Sequence, residues 1–366
     1  MNANPSRQHP AEGDESARLL SGTARDLPPG RHQFHKERLM AQIHDTQREE
    51  RAATAAPGTK TRRFRLPRPA IALPAMVAVL AGAVVVVTAT TGGSGVRDGG
   101  VATGPALTTT IGDASTEGLP QLLDEISLAA AADTSRPTVK PGQYIYIESK
   151  TADTFIKTVD DKSSLASYAL HKRQVWMSPD GTKGWLIDPS VNDGPEGETL
   201  SLPDEQGNIR EASLNGPSYD YLTKLTTDPD QLLAKIYKET KGQGNSPDQQ
   251  AFSTIGDLLG ESYPPAELYS ALFKTAAKIP GVVVVNDAVD AVGRPGVAVA
   301  RLDETSGARE EWIFDKKTHV FLGERSVQVK QLSGEDALVK PGTVNHTSAI
   351  ITRAVVNGMK QTPPSS

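Results

Sequence analysis

The run ALPAMVAVLAGAVVVVTA, from Ala72 to Ala89, decides how this chain is organised. No side chain between Arg68 and Arg97 carries a charge, and from Ile71 to Val87 every residue is apolar once Pro74 and Gly82 are set aside. A helix needs about 20 such residues to cross the hydrocarbon core of a bilayer. A buried core element is the competing reading, since Val84 to Val87 alone would suit a strand, but such elements are normally shorter. The flanks separate the two. Arg62, Arg63, Arg65 and Arg68 precede the run, and the flexible TGGSGVRDGG follows it. A secretory signal peptide does not fit a run that starts so far into the chain. The expectation is a single transmembrane helix over residues 69–91.

Charge orients that helix. Residues 1–68 hold 13 Lys and Arg against 8 acids, which from totals of 39 and 44 leaves 26 and 36 for the rest. Basic short flanks stay on the cytoplasmic side, so the N-terminus is expected in the cytoplasm and the acidic bulk outside it. An acidic bulk gives no support for nucleic-acid binding. The chain has no cysteine, which removes disulfides, Cys-based zinc sites and thiol nucleophiles.

Composition then divides the chain. Residues 1–66 read as a cytoplasmic tail, mostly disordered, with one short helix in HKERLMAQIHDTQREERAA whose narrow apolar face is Leu39, Met40 and Ile43. That face is a candidate cytoplasmic contact, or else a frayed helix beside the membrane. Residues 92–118 read as a flexible linker, 119–355 as an exported domain, and 356–366 as a disordered tail. LPQLLDEISLAAAA has the apolar spacing of a packed helix. PGQYIYIESK alternates like a strand, and HKRQVWMS and KGWLID flank the turn Pro179-Asp180-Gly181 as a hairpin would. Three helices follow: one capped by Asp228 with Pro229 first, one carrying Phe252, Ile255, Leu258 and Leu259, and one in PPAELYSALFKTAAKIPG. Strands return in GVVVVND, GVAVARLD, REEWIFD, HVFLGERSVQVK and HTSAIITRAVVNG.

Chemistry is sparse. Hydrolysis by a serine or threonine needs a histidine oriented by an acid, and the large part offers only His171, His319 and His346. No G-x-S-x-G elbow is present, and GNSPD around Ser246 reads as a loop. His32, His35 and His44 lack a supporting ligand set, so no metal site is expected. Asp160-Asp161 and Glu310-Glu311 read as turn and strand-edge charges. Neither a catalytic residue nor a cofactor follows from these residues. Trp176, Trp185 and Trp312 are candidates to line a groove for an apolar ligand or peptide, with core packing as the plainer alternative.

Taken in order, LPPGRHQFHKERLMAQI, the Arg-flanked apolar run, PGQYIYIES, VWMSPDG, LTTDPDQLLAKIY, PPAELYSALFKTAAKIPGV, GRPGVAVA and IFDKKTHVFLGERSV resemble a family of actinobacterial single-pass membrane proteins of unassigned activity. Some members are encoded beside extracytoplasmic-function sigma factors. The resemblance covers about Leu27 to Val327. The order of strands and helices after the transmembrane helix is that of an α+β domain, an antiparallel sheet interrupted by a three-helix insertion, and the resemblance implies that this sheet is curved and half-barrel-like. It implies no catalytic residues. The function expected is a membrane-anchored, non-enzymatic envelope protein whose exported domain binds a ligand or partner, with a sigma factor as candidate cytoplasmic partner. A carrier of apolar ligand or lipid is the alternative. A chain so organised is expected to pellet with membranes and to resist detergent-free extraction, and protease added to whole cells is expected to remove its C-terminal half.

Overall fold

The computed structural model describes residues 101–133, 138–159, 162–192, 194–200 and 211–364. The expected architecture is corrected by it. The described residues build one large antiparallel sheet of twelve strands with few helices, and among them no helix is long and apolar enough to cross a membrane. The half-barrel is thereby replaced by a larger sheet, while three consecutive helices, Pro229–Glu239, Pro247–Glu261 and Ala266–Ala276, do interrupt the strands. The reason lies in where apolar surface is concentrated: the strands hold it on both faces, and the helices only cover part of one. The span 69–91 and the face of Leu39, Met40 and Ile43 lie outside the described residues.

In chain order come β1 (Thr103–Pro105), β2 (Ala114–Ser115), α1 (Leu119–Ala132), β3 (Tyr144–Val159), β4 (Lys162–Tyr168), β5 (His171–Met177), β6 (Gly184–Ile187) and β7 (Glu198–Thr199). The short α2 (Tyr219–Leu222), α3 (Pro229–Glu239), α4 (Pro247–Glu261) and α5 (Ala266–Ala276) follow. The chain ends with β8 (Val282–Val289), β9 (Pro295–Leu302), β10 (Ala308–Phe314), β11 (Phe321–Gln328) and β12 (Val344–Val356). The sheet order is β2-β8-β9-β10-β11-β12-β3-β5-β6-β7. Strand β3 is long enough to change partners: it pairs with β5 as far as Thr151 and with β12 as far as Asp153, then with β4 from Thr154 onward.

Local chemistry sets the helix starts. The Asp228 carboxylate accepts from Gln231 N at 2.9 Å, and the Ser246 hydroxyl accepts from Gln249 N at 3.1 Å. Each is followed by proline, whose missing N–H costs nothing in the first turn. Ser246, read as part of a loop, therefore opens α4 five residues before its apolar face begins. Leu232, Ile236, Phe252, Ile255, Leu272 and Phe273 from these helices pack on Val282, Val284, Val297, Val299, Trp312 and Phe314 of the sheet. At the centre Trp312 stacks on Phe252, with ring centroids 3.8 Å apart and planes 6° from parallel. The helix can come this close because position 256 is glycine: a Cβ there would lie 2.5 Å from Trp312 Nε1.

The opposite face is also filled. Val285, Ala298, Ala300, Ile313 and Leu322 form a buried cluster, and the N-terminal stretch runs across it. Thr109 N donates to Gly342 O at 2.8 Å, Val344 N donates to Leu107 O at 2.9 Å, β1 pairs with β4, and β2 pairs with β8. The part of 92–118 that is described thus contributes two strands and a strap, where composition suggested a linker.

Glu310 and Glu311 require a second correction. They lie in β10, an interior strand, and both are buried. Glu310 points at α4 and accepts from Gln249 Nε2 at 2.9 Å and Ser253 Oγ at 2.7 Å. Glu311, on the other face, accepts from Arg309 Nε at 2.8 Å and Arg325 Nε at 2.7 Å. Removing one member of such a buried group strands the others without a counter-charge, at about 3–5 kcal/mol. Glu311→Ala is therefore expected to lower the unfolding free energy by about that amount, read as a lower urea midpoint with an unchanged slope.

Candidate binding face

The strand pairing brings two of the three tryptophans together. Tyr146, Trp176 and Trp185 stand directly opposite one another on β3, β5 and β6, so their side chains share a face. Tyr146 and Trp176 are in ring contact, with centroids 5.0 Å apart and planes tilted by 40°. Trp312 is not part of this row. It is fully buried against Phe252 on the other side of the sheet, under α4.

A polar row runs beside the aromatic one. Gln174 Nε2 donates to Tyr146 Oη at 2.6 Å, and Tyr146 Oη donates to Glu148 Oε2 at 2.5 Å. Burial, and then the hydrogen bond to Glu148, push the Tyr146 phenol up to about 12, so it stays a donor at neutral pH.

Described residues that follow β12 cover this face. Of the tail expected to be disordered, Gly358 to Gln361 fold into a turn in which Gln361 N donates to Gly358 O at 3.2 Å. Trp176 Nε1 donates to Gln361 O at 2.6 Å. The Lys360 ammonium lies 3.5 Å from the centroid of the Trp185 ring, a close cation–π contact. Met359 packs against the Tyr146, Trp176 and Val356 cluster, and Gln143 Nε2 donates to Asn357 Oδ1 at 3.0 Å. Trp185 keeps its own ring in place by donating Nε1 to Glu196 O at 2.9 Å. Sequence reasoning missed Tyr146, Met359, Lys360 and Gln361. The only available signal was the alternation of YIYIES, which places Tyr146 on the face away from Ile145 and Ile147.

The histidines do structural work. His171 Nδ1 donates to Ala169 O at 2.9 Å, and Nε2 lies 3.0 Å from Asp188 Oδ1. Both ring nitrogens are therefore engaged, and neither is left to take a proton from a nucleophile. The nearby hydroxyl of Ser190 donates to Asp188 at 2.7 Å rather than to the imidazole. His346 Nδ1 lies 2.8 Å from Asp153 Oδ1, joining β12 to β3. His319 precedes β11 in a left-handed backbone conformation, φ 56°, with Nε2 3.3 Å from Glu125. Among the described residues no group of three or more His, Asp or Glu is placed to hold a metal ion. His32, His35 and His44 lie outside them.

No protein-family model matches this chain, and no curated protein is similar to it.

The His171 and Asp188 pair makes the fold pH-sensitive. For His171, burial pulls the imidazole down, but the hydrogen bond and charge of Asp188 outweigh it and leave the group above its ordinary 6.5. For Asp188, burial pushes up, but His171, Ser190 and Arg173 bring the carboxyl below its ordinary 3.8. The histidine's contribution is complete below pH 6.5 and is lost as pH rises through its raised value. The aspartate's is complete above pH 3.8 and is lost as pH falls through its lowered value. Asp188→Ala is thus expected to cost about 3 kcal/mol between these limits and less at pH 9, measured by urea unfolding at both ends.

Proposed function

We propose that this chain is a non-enzymatic binding protein of the cell envelope whose ligand-binding face is the row Tyr146, Trp176 and Trp185. One observation carries the reading: that row holds a stretch of polypeptide through a main-chain carbonyl and a cation, groups that a segment of another molecule also offers. Aromatic rings fixed by their own hydrogen bonds give contact area at little entropic cost. The engaged nitrogens of His171 support a role without catalysis.

Support for the place at the envelope comes from the sequence: the uncharged stretch between Arg68 and Arg97 and the basic residues before it. The resemblance to actinobacterial membrane proteins points the same way. It is also what supports a regulatory version in which Leu39, Met40 and Ile43 contact a sigma factor.

A lipid carrier has less support. It needs an apolar hollow of several hundred Å³, whereas both faces of β8 to β11 are packed with side chains. A hollow of about 260 Å³ lies elsewhere, lined by Ser213, Asn215, Tyr221 and Glu239 among others. Organic extraction of the purified chain followed by mass spectrometry separates the two readings. The expected result is no lipid above trace level, and a stoichiometric lipid would favour the carrier.

A further inference from the structure

Lys360 occupies an unusual position. In the turn from Gly358 to Gln361 it is the third residue and has φ 65°. A type II turn reserves that place for glycine, because an L side chain there meets its own backbone. The chain has Gly358 two residues earlier, yet puts lysine where glycine would be free of strain. What offsets the strain is visible: the ammonium lies over Trp185, and the carbonyl of Gln361 meets Trp176 Nε1.

We infer that the Tyr146, Trp176 and Trp185 row is a receptor for a lysine-bearing peptide turn, filled here by the chain's own Gly358 to Gln361. The partner it fits is a polypeptide segment with an apolar residue before a lysine and a free carbonyl after it. This rests on the reading of the row as a binding face, and it adds the chemical class of the occupant. The internal turn follows β12 almost at once, as that strand ends at Val356. Its effective concentration is therefore in the millimolar range, so a weak intrinsic fit keeps it seated. The contacts that seat it are few: one hydrogen bond to Trp176, one cation–π contact, and the packing of Met359. A partner segment with micromolar affinity competes successfully against such a tether.

The test uses the chain ended after Asn357 and the synthetic peptide Gly-Met-Lys-Gln-Thr-Pro-Pro, with tryptophan fluorescence and calorimetry as readouts. The shortened chain is expected to bind the peptide at least about tenfold more tightly than the full-length chain does. Replacing the peptide's lysine by norleucine is expected to weaken binding about fivefold, and Trp185→Ala in the shortened chain to do the same. If the shortened chain melts cooperatively and binds lysine and norleucine peptides equally, the row remains a binding face and the lysine inference falls. If it binds neither, both readings fall. Should shortening prevent a cooperative melt, full-length Lys360→Glu replaces it: this variant dislodges the turn without removing it, must show the same gain in peptide affinity, and overturns the inference if it does not.

Discussion

The ladder between β3 and β12 is the constraint on which the rest depends. It joins residues almost 200 positions apart, as in the contact of His346 with Asp153. It also connects the two halves of the sheet, β8 to β11 on one side and β5 to β7 on the other. Closing so long a loop is costly in entropy, so the register must be fixed by more than main-chain bonds. Side chains help: Thr154 Oγ1 donates to Val344 O at 2.7 Å, and Thr151 Oγ1 to Thr347 O at 3.3 Å. A one-residue slip would send Ile145, Ile147 and Tyr146 to the wrong faces. The aromatic row would then point at Tyr219 and Tyr263, the residues that now cover Ile145 and Ile147.

Because both faces of β8 to β11 are buried, these strands cannot show the simple apolar and polar alternation of a half-exposed sheet. The helices cover one side and the strap of residues 107–112 the other. Interior polar groups then need partners, and β10 supplies them in opposite directions from adjacent residues. Glu310 is held by α4, while Glu311 is held between two arginines of β10 and β11. A buried carboxylate is tolerated only when its oxygens are occupied, which these contacts provide. Such interactions add little net stability over apolar packing but strongly penalise alternatives that leave a charge unpaired.

The aromatic face differs from the rest of the core in how it is closed. Helices and strands cover the other apolar clusters with many residues, whereas among the described residues Tyr146, Trp176 and Trp185 are met by Val356 of β12, the turn from Gly358 to Gln361 and, at Trp185, the carbonyl of Glu196. These ring contacts under a small segment are the feature on which the proposed binding face rests.

Several features were legible from local sequence. Pro179-Asp180-Gly181 marks a hairpin because the turn needs the positive φ that Gly181 adopts. Asp228 before Pro229 marks a helix start for equally local reasons, and Ser246 before Pro247 carried the same signal, though it read as a loop. The spacing in LPQLLDEISLAAAA put Leu122, Leu123, Ile126 and Ala130 on a buried face. Long-range facts were not legible. Nothing near Trp312 distinguishes it from Trp176, yet one lies under α4 and the other under the chain's C-terminal turn. The acids of β10 looked exposed because, apart from Arg309, their partners Gln249, Ser253 and Arg325 lie 14 or more residues away. Sequence by itself determined turns, caps, apolar periodicity and the absence of thiol chemistry, since each depends on residues within a few positions. Tertiary structure alone decided the strand order, the burial of charge and the covering of the aromatic row, because those depend on which distant segments share a face once the chain has closed.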